Sequence, residues 1–192
     1  MTEERPLLQV IIGSTRPGRV GKPVGDWIAA EAHGHGGFDV EVVDLAEVNL
    51  PLFDEPHHPR FGTYEHQHTK DWSATVSRAD AFLFVIPEYN YGFNAATKNA
   101  LDYLHKEWQY KPVGLVTYGG VAAGTRAAQL LKPVLGALKL VTVNEAVNIP
   151  FVANYVENGE FAATEPLVAS AKLMLDEVAR LIPVLRVLRP AA

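Results

Sequence analysis

Cysteine is absent from this 192-residue chain. Its absence excludes disulfides, thiolate catalysis and cysteine-ligated zinc or iron–sulfur centres. Long apolar runs are missing too. No stretch approaches the roughly 20 apolar residues that span a bilayer, and MTEERPLLQV holds no apolar leader segment. The expectation is a cytoplasmic protein without membrane insertion. A basic excess is also lacking: 17 Lys and Arg face 22 Asp and Glu, for a net charge of −5. That balance argues against bulk nucleic-acid binding. The 7 histidines lack a metal-ligand pattern. His66 and His68 are two apart, which on a helix places them about 200° around the axis from each other. His57 and His58 precede Pro59 in a loop, and no tight carboxylate cluster joins them. No metal site is predicted.

What is present describes an ordinary globule. Hydrophobic residues make up 48% and charged residues 20%, in a chain long enough to bury a sizeable core. One domain over 1–192 is expected. Apolar runs alternate with helix-like segments. LLQVII (7–12), FDVEVVDL (38–45), AFLFVI (81–86), PVGLVTY (112–118) and LVTVNEAVNI (140–149) read as strands. Segments 22–33, 68–79, 94–106, 122–139 and 164–186 read as helices, the fourth bent or interrupted at Pro133. Such alternation predicts an α/β doubly wound parallel sheet, because parallel strands need crossovers and helices make short ones. Five strands with one reversal predict the flavodoxin-like order 2-1-3-4-5, with helices on both faces. The irregular piece 46–65 is long enough to be an ordered functional or interface loop.

In such a sheet, ligands bind beyond the carboxyl ends of the strands, so the loops leaving the strands carry the chemistry. The first is GSTRPGRVG, Gly13 to Gly21. Ser14 and Thr15 offer hydroxyls, the glycines free backbone N–H groups, and a helix N-terminus follows. Arg16, Arg19 and Lys22 add positive charge, with no acid before Asp26. A phosphate monoester suits this loop. A Walker loop does not: Arg19 and Val20 stand where lysine and a magnesium-binding hydroxyl are required. Nor does the loop spell G-x-G-x-x-G. Ser14 is not in a G-x-S-x-G hydrolase elbow.

The second loop is PEYNYGFN, Pro87 to Asn94. Aromatics with amides suit a flat heterocycle; a turn whose rings simply pack reads as well. The third is TYGGVAAGTRA, Thr117 to Ala127, where Gly119 and Gly120 admit close backbone approach. A plain strand-to-helix turn, with Arg126 a surface charge, is the other reading. Together the loops outline one pocket, a phosphate at the first and a planar ring between the second and third. That is the shape of an FMN site at the switch point.

At these residues the chain resembles the NAD(P)H-dependent FMN reductases, a family that includes chromate, azo-dye and quinone reductases. GSTRPGRVG resembles their phosphate loop, and PEYN with ATKNALDYL their second signature. VVDLAEVNLPLFDE resembles the segment after their second strand. The resemblance spans residues 7–150. It implies that Ser14, Arg16, Arg19, Val20 and Gly21 hold the phosphate and ribityl end of FMN. It implies that Pro87, Glu88, Tyr89, Asn90 and Tyr91 line the ring, largely through backbone, and that Thr117, Tyr118, Gly119 and Gly120 close the other side. NADPH or NADH would be the co-substrate. The acceptor would be a small molecule: a quinone, azo compound, metal oxyanion or free flavin. The flavin carries the chemistry, so no catalytic side chain is implied; amides near Gly119 and Gly120 would stabilise charge on it. The resemblance implies a homodimer or a tetramer; separately from it, 46–65 and Trp108-Gln109-Tyr110 are read as interface pieces. Two departures stand out. GFNAATKN replaces a stretch that in many members carries Pro-Gly-Gly, and Arg19 stands where several relatives have Ser, which predicts an ionic contact in place of a hydroxyl. The competing class is a non-enzymatic flavodoxin-like electron carrier or redox-sensing module, though such proteins are usually more acidic.

Overall fold

The computed structural model describes residues 5–189. Five parallel strands form one sheet: β1 (Leu7–Ile12), β2 (Asp39–Asp44), β3 (Ala81–Pro87), β4 (Pro112–Tyr118) and β5 (Val141–Ile149). Their order is β2-β1-β3-β4-β5, the flavodoxin-like order expected from the sequence. Every residue of β3 and of β4 is buried, as their unbroken apolar runs require of central strands covered on both faces. β2, at one edge, is buried only at its C-terminal end, Val43 and Asp44, and leaves Asp39 and Val42 exposed.

Six helices connect and cover the strands: α1 (Gly21–His35), α2 (Leu45–Val48), α3 (Gln67–Arg78), α4 (Ala95–Asp102), α5 (Thr125–Ala137) and α6 (Glu165–Arg186). One face of the sheet packs on α1 and α6 through Val24, Ile28, Leu175 and Val178. The other packs on α3, α4 and α5 through Trp72, Leu101 and Leu131, around Phe82 and Phe84. The strand registers align one edge. Ile12 pairs with Asp44 and Val85, and Tyr118 with Pro87 and Ile149. All five strands therefore end together, and the loops that leave them share one rim.

Several expectations need correction. α5 runs unbroken through Pro133. The carbonyl that proline leaves unmatched belongs to Gln129, an exposed residue that water can serve, while Leu131 and Leu135 anchor the helix. α4 stops at Asp102, and Lys106–Trp108 form a separate single turn. A short hairpin of β6 (Val156–Glu157) and β7 (Glu160–Phe161) lies where no strand was predicted. His66 precedes α3 in extended conformation, so helical spacing does not apply to it. Its ring stacks on that of His68 with centroids 5.2 Å apart. Trp108 is no interface residue: it is fully buried, 5.0 Å from the Phe82 ring, and donates to Leu101 O.

The 46–65 segment is ordered by α4. Asn99 accepts from the Phe53 amide at 2.8 Å and donates to Pro51 O at 2.6 Å. The buried Glu55 carboxylate takes the amides of Glu65 and His66. Leu52 and Phe61 stay outside, 83% and 71% exposed. Among the described residues, no helix is long and apolar enough to cross a membrane.

Candidate functional site

At the shared rim a cleft of about 240 Å³ opens between the loops. The first loop contributes Arg16 and Val20, the second Pro87, Glu88 and Tyr89, the third Tyr118, Gly119 and Gly120. The three loops singled out in the sequence thus meet at one place. Val152, from the turn after β5, completes the wall. Nothing in PFVANY marked that valine beforehand. It is brought in by the strained αL backbone of Phe151 and by hydrogen bonds from the Phe151 and Val152 amides to Gly120 O and Gly119 O.

The first loop leaves β1 where Gly13 donates to Val85 O and a single turn closes from the Arg19 amide to Arg16 O. The amides of Ser14, Thr15, Arg16, Gly18 and Val20 form no backbone hydrogen bond. They surround the start of α1, whose first turn contains Pro23 and no carboxylate. Free amides and a helix N-terminus together favour an anion.

Of the three cations counted in this loop, the fold neutralises two. Arg19 Nη2 donates to Asp44 Oδ2, and the Asp44 side chain is only 2% exposed. Lys22 pairs with Asp26 at 2.6 Å, one turn along α1. Arg16 alone of the three has no carboxylate partner among the described residues; its guanidinium meets only Pro17 O, at 3.3 Å. Arg19 thus makes an ionic contact to β2, while its buried Nε has no hydrogen-bond partner among the described residues. Ser14 is fully buried, with Oγ 2.9 Å from Tyr89 Oη, so it couples the first loop to the second.

The departure stretch GFNAATKN has a structural task. Asn94, capping α4, donates from Nδ2 to Gly13 O at 2.6 Å and accepts from Thr97 Oγ1 at 2.8 Å. A Cβ on Gly13 would lie 2.4 Å from Thr97 Oγ1, so only glycine lets the two loops close this tightly. Asn94 was overlooked in the sequence, although an asparagine before a helix is an N-cap signal.

The second loop turns on Asn90 and Tyr91, both with positive φ, between reciprocal hydrogen bonds of Tyr89 and Gly92. That is the backbone of a type I′ turn. Asparagine accepts it readily, whereas tyrosine in this region costs about 1 kcal/mol or more. Tyr91 is held there by Arg126, whose guanidinium carbon lies 4.1 Å from the ring centroid. Glu88 fixes Arg126 in turn, accepting from its backbone amide and from Nη1 at 3.0 Å. Asn90 and Tyr91 thus shape the turn from outside the cleft wall.

In the third loop, Thr117 faces away from the cleft, with Oγ1 2.8 Å from Asn148 Oδ1 and 3.0 Å from Ala123 O. The Gly119 amide donates to Ile149 O, which leaves the Gly120 amide free of backbone partners. A Cβ on Gly120 would meet nothing within 4 Å, so its backbone faces open space. Tyr118 differs from its neighbours. Strand alternation places it with Val116 on the α1 face, where it is 4% exposed. Its Oη has no hydrogen-bond partner. Burial pushes the phenol pKa up, so the hydroxyl keeps its proton.

Comparison with known proteins adds three findings. The family model described as NADPH-dependent FMN reductase matches residues 6–154. An NAD(P)H-dependent FMN reductase of Schizosaccharomyces pombe is 42% identical over 137 residues, covering 70% of this chain and 68% of that protein. An NADPH:quinone oxidoreductase of Arabidopsis thaliana is 30% identical over 112 residues, 57% of this chain and 55% of its own. Among solved structures, FerB, a flavoenzyme NAD(P)H:(acceptor) oxidoreductase from Paracoccus denitrificans, superposes with a TM-score of 0.72. It covers 93% of this chain and 98% of FerB at 21% identity, a likeness of fold.

Proposed function

The chain belongs to the NADPH-dependent FMN reductase family, and from that premise we propose that it works as one FMN-binding domain passing electrons from NAD(P)H to a quinone. The observation that carries this reading is the cleft itself. One end offers free amides, the unpaired Arg16 cation and the unpartnered Tyr118 hydroxyl. The other is a slot edged by Tyr89 and the open backbone of Gly120. An orphaned buried hydroxyl beside free amides is what a phosphate-bearing cofactor would satisfy, so the residues present fit FMN.

When bound, FMN supplies two-electron chemistry: a hydride leaves NAD(P)H, giving NAD(P)⁺, and the quinone gains two electrons and two protons, the second from solvent. The chain's own part is to bind and orient. Arg16 and the loop amides hold the phosphate. Pro87 and Tyr89 border one side of the ring slot, Gly119 and Gly120 the other. The Gly120 amide is the free donor for charge developing at the ring edge. Tyr89 and Val152 give the mouth an aromatic and apolar character, which suits a planar neutral acceptor better than a metal oxyanion. The Arabidopsis relative's quinone name points the same way. The exposed Leu52 and Phe61 on the 46–65 segment suit contact with a second copy in a homodimer.

The test begins with the visible spectrum of the purified protein and anaerobic addition of NADPH or NADH. Bleaching of bound flavin at catalytic rate, followed by highest kcat/KM on a quinone among quinone, azo dye, chromate and free FMN, is the expected result. A protein that cannot be loaded with FMN overturns the reading. Bound flavin that neither nucleotide reduces at a useful rate returns it to an electron carrier.

A further inference from the structure

Tyr118 poses a problem that the fold alone does not solve. The residue is 4% exposed, and its hydroxyl has no hydrogen-bond partner among the described residues. A buried hydroxyl without a hydrogen bond destabilises a protein, and so calls for an explanation. Its position narrows the choice. A Cβ placed on Gly21, the first residue of α1, would lie 2.4 Å from Tyr118 Oη. The hydroxyl therefore fills the space that a side chain at the helix N-terminus would take. Tyr118 also lines the cleft, with Arg16 and Val20. The Ser14 hydroxyl, and then the positive charges of Arg19 and Arg16, act on the phenol. The first loop, whose amides at Ser14, Thr15, Arg16, Gly18 and Val20 form no backbone hydrogen bond among the described residues, leads directly into Gly21.

We propose that Tyr118 is a phosphate ligand, its hydroxyl donating a hydrogen bond to the FMN phosphate seated at the N-terminus of α1, with Gly21 present to admit it. The inference rests on the reading of the cleft as an FMN site. It moves Tyr118 from the ring, where the sequence placed it, to the phosphate. The phenol reaches the loop from the end of β4, so one residue ties the third loop to the anion held by the first. Arg19, neutralised by Asp44, is then replaced in that task by an uncharged donor.

The experiment titrates FMN and riboflavin separately into apo-protein, wild type and Tyr118→Phe, following quenching of flavin fluorescence. Riboflavin has the same ring and ribityl chain but no phosphate. Loss of one hydrogen bond to a charged group predicts an FMN Kd raised about tenfold or more, with riboflavin binding unchanged. Because Tyr118→Phe removes a hydroxyl that bonds to nothing in the apo-protein, apo Tm stays level or rises, while the Tm gain on adding FMN shrinks. An FMN Kd and Tm gain equal to wild type overturn the assignment. Equal weakening of FMN and riboflavin also overturns it, and moves the hydroxyl to the ribityl chain or ring. Failure of the wild type to bind FMN overturns instead the reading on which the inference rests.

Discussion

Arg19 and Asp44 form a nearly buried ion pair that joins the first loop to the end of β2. The Asp44 carboxylate also accepts the Ala46 amide and so caps α2. Removing either partner strands the other charge in a site with little access to water. We expect Asp44→Asn and Arg19→Met each to lower stability by about 3 kcal/mol. The double variant should lose clearly less than the sum, since the stranded charge is then gone. Urea unfolding of the four proteins measures the coupling. Additive losses would show that the pair does not hold the loop.

Arg16 should behave in the opposite way. It is exposed and unpaired, so Arg16→Ala should change apo stability by no more than about 0.5 kcal/mol. FMN affinity should fall about tenfold or more, because a charge-assisted contact to phosphate is lost. The difference between wild type and variant should narrow at high salt, where surface charges are screened. Fluorescence titrations at two ionic strengths check both statements.

Gly21 and Tyr118 are coupled by steric contact, and a mutant cycle should reveal it. In the wild type, Gly21→Ala drives a methyl to 2.4 Å from Tyr118 Oη, and overpacking of this kind costs about 1–3 kcal/mol. In the Tyr118→Phe background that oxygen is gone. The remaining neighbours, Ser14 Cβ and the ring carbon, lie at 3.3 Å, so the Gly21→Ala penalty should be clearly smaller there. Thermal melts of the four apo-proteins give the answer, and a Gly21→Ala penalty of equal size in both backgrounds would refute the contact.

Lys111 gives a pH signature away from the cleft. It is buried, with Nζ donating to Val76 O at 2.8 Å at the end of α3. Burial, helped by the nearby Arg189 charge, pushes its pKa down to about 7. An unfolded lysine titrates near 10.4. Between these values the unfolded chain binds the extra proton, so this group makes stability rise with pH from about 7 to about 10. Below about 7 both states carry the charge and the contribution is flat. Urea unfolding at pH 7, 8 and 9 should show this rise in the wild type and a flatter profile in Lys111→Met, whatever the absolute stability of the variant.

Much of the architecture was legible along the chain because its causes are local. Apolar runs of six or seven residues, broken by one polar side chain at most, leave a central parallel strand few alternatives. The Gly-rich turn after β1, followed by a helix start without a carboxylate, is a composition that favours an anion. PEYN and TYGG could be placed on the same rim because parallel topology sends every strand's C-terminal end to one edge. Helix ends were less legible. α5 continues through Pro133 because an exposed turn tolerates the missing bond, and exposure is not written in the residue itself.

The chemistry of the site was decided by contacts between residues distant in sequence. Sequence alone determined that three cations and a set of free amides lie together after β1. Only the tertiary structure decided that Asp44, 25 residues away, pairs with Arg19, and that Arg16 has no carboxylate partner among the described residues. Likewise, Tyr118 could be read as an aromatic near a ring, but strand alternation and the missing Cβ of Gly21 turn its hydroxyl under α1. The reason is range. Hydrophobic periodicity and helix capping act over a few residues and are written in order along the chain. Charge neutralisation and hydrogen bonding act over a few ångströms of space, and the fold chooses those neighbours.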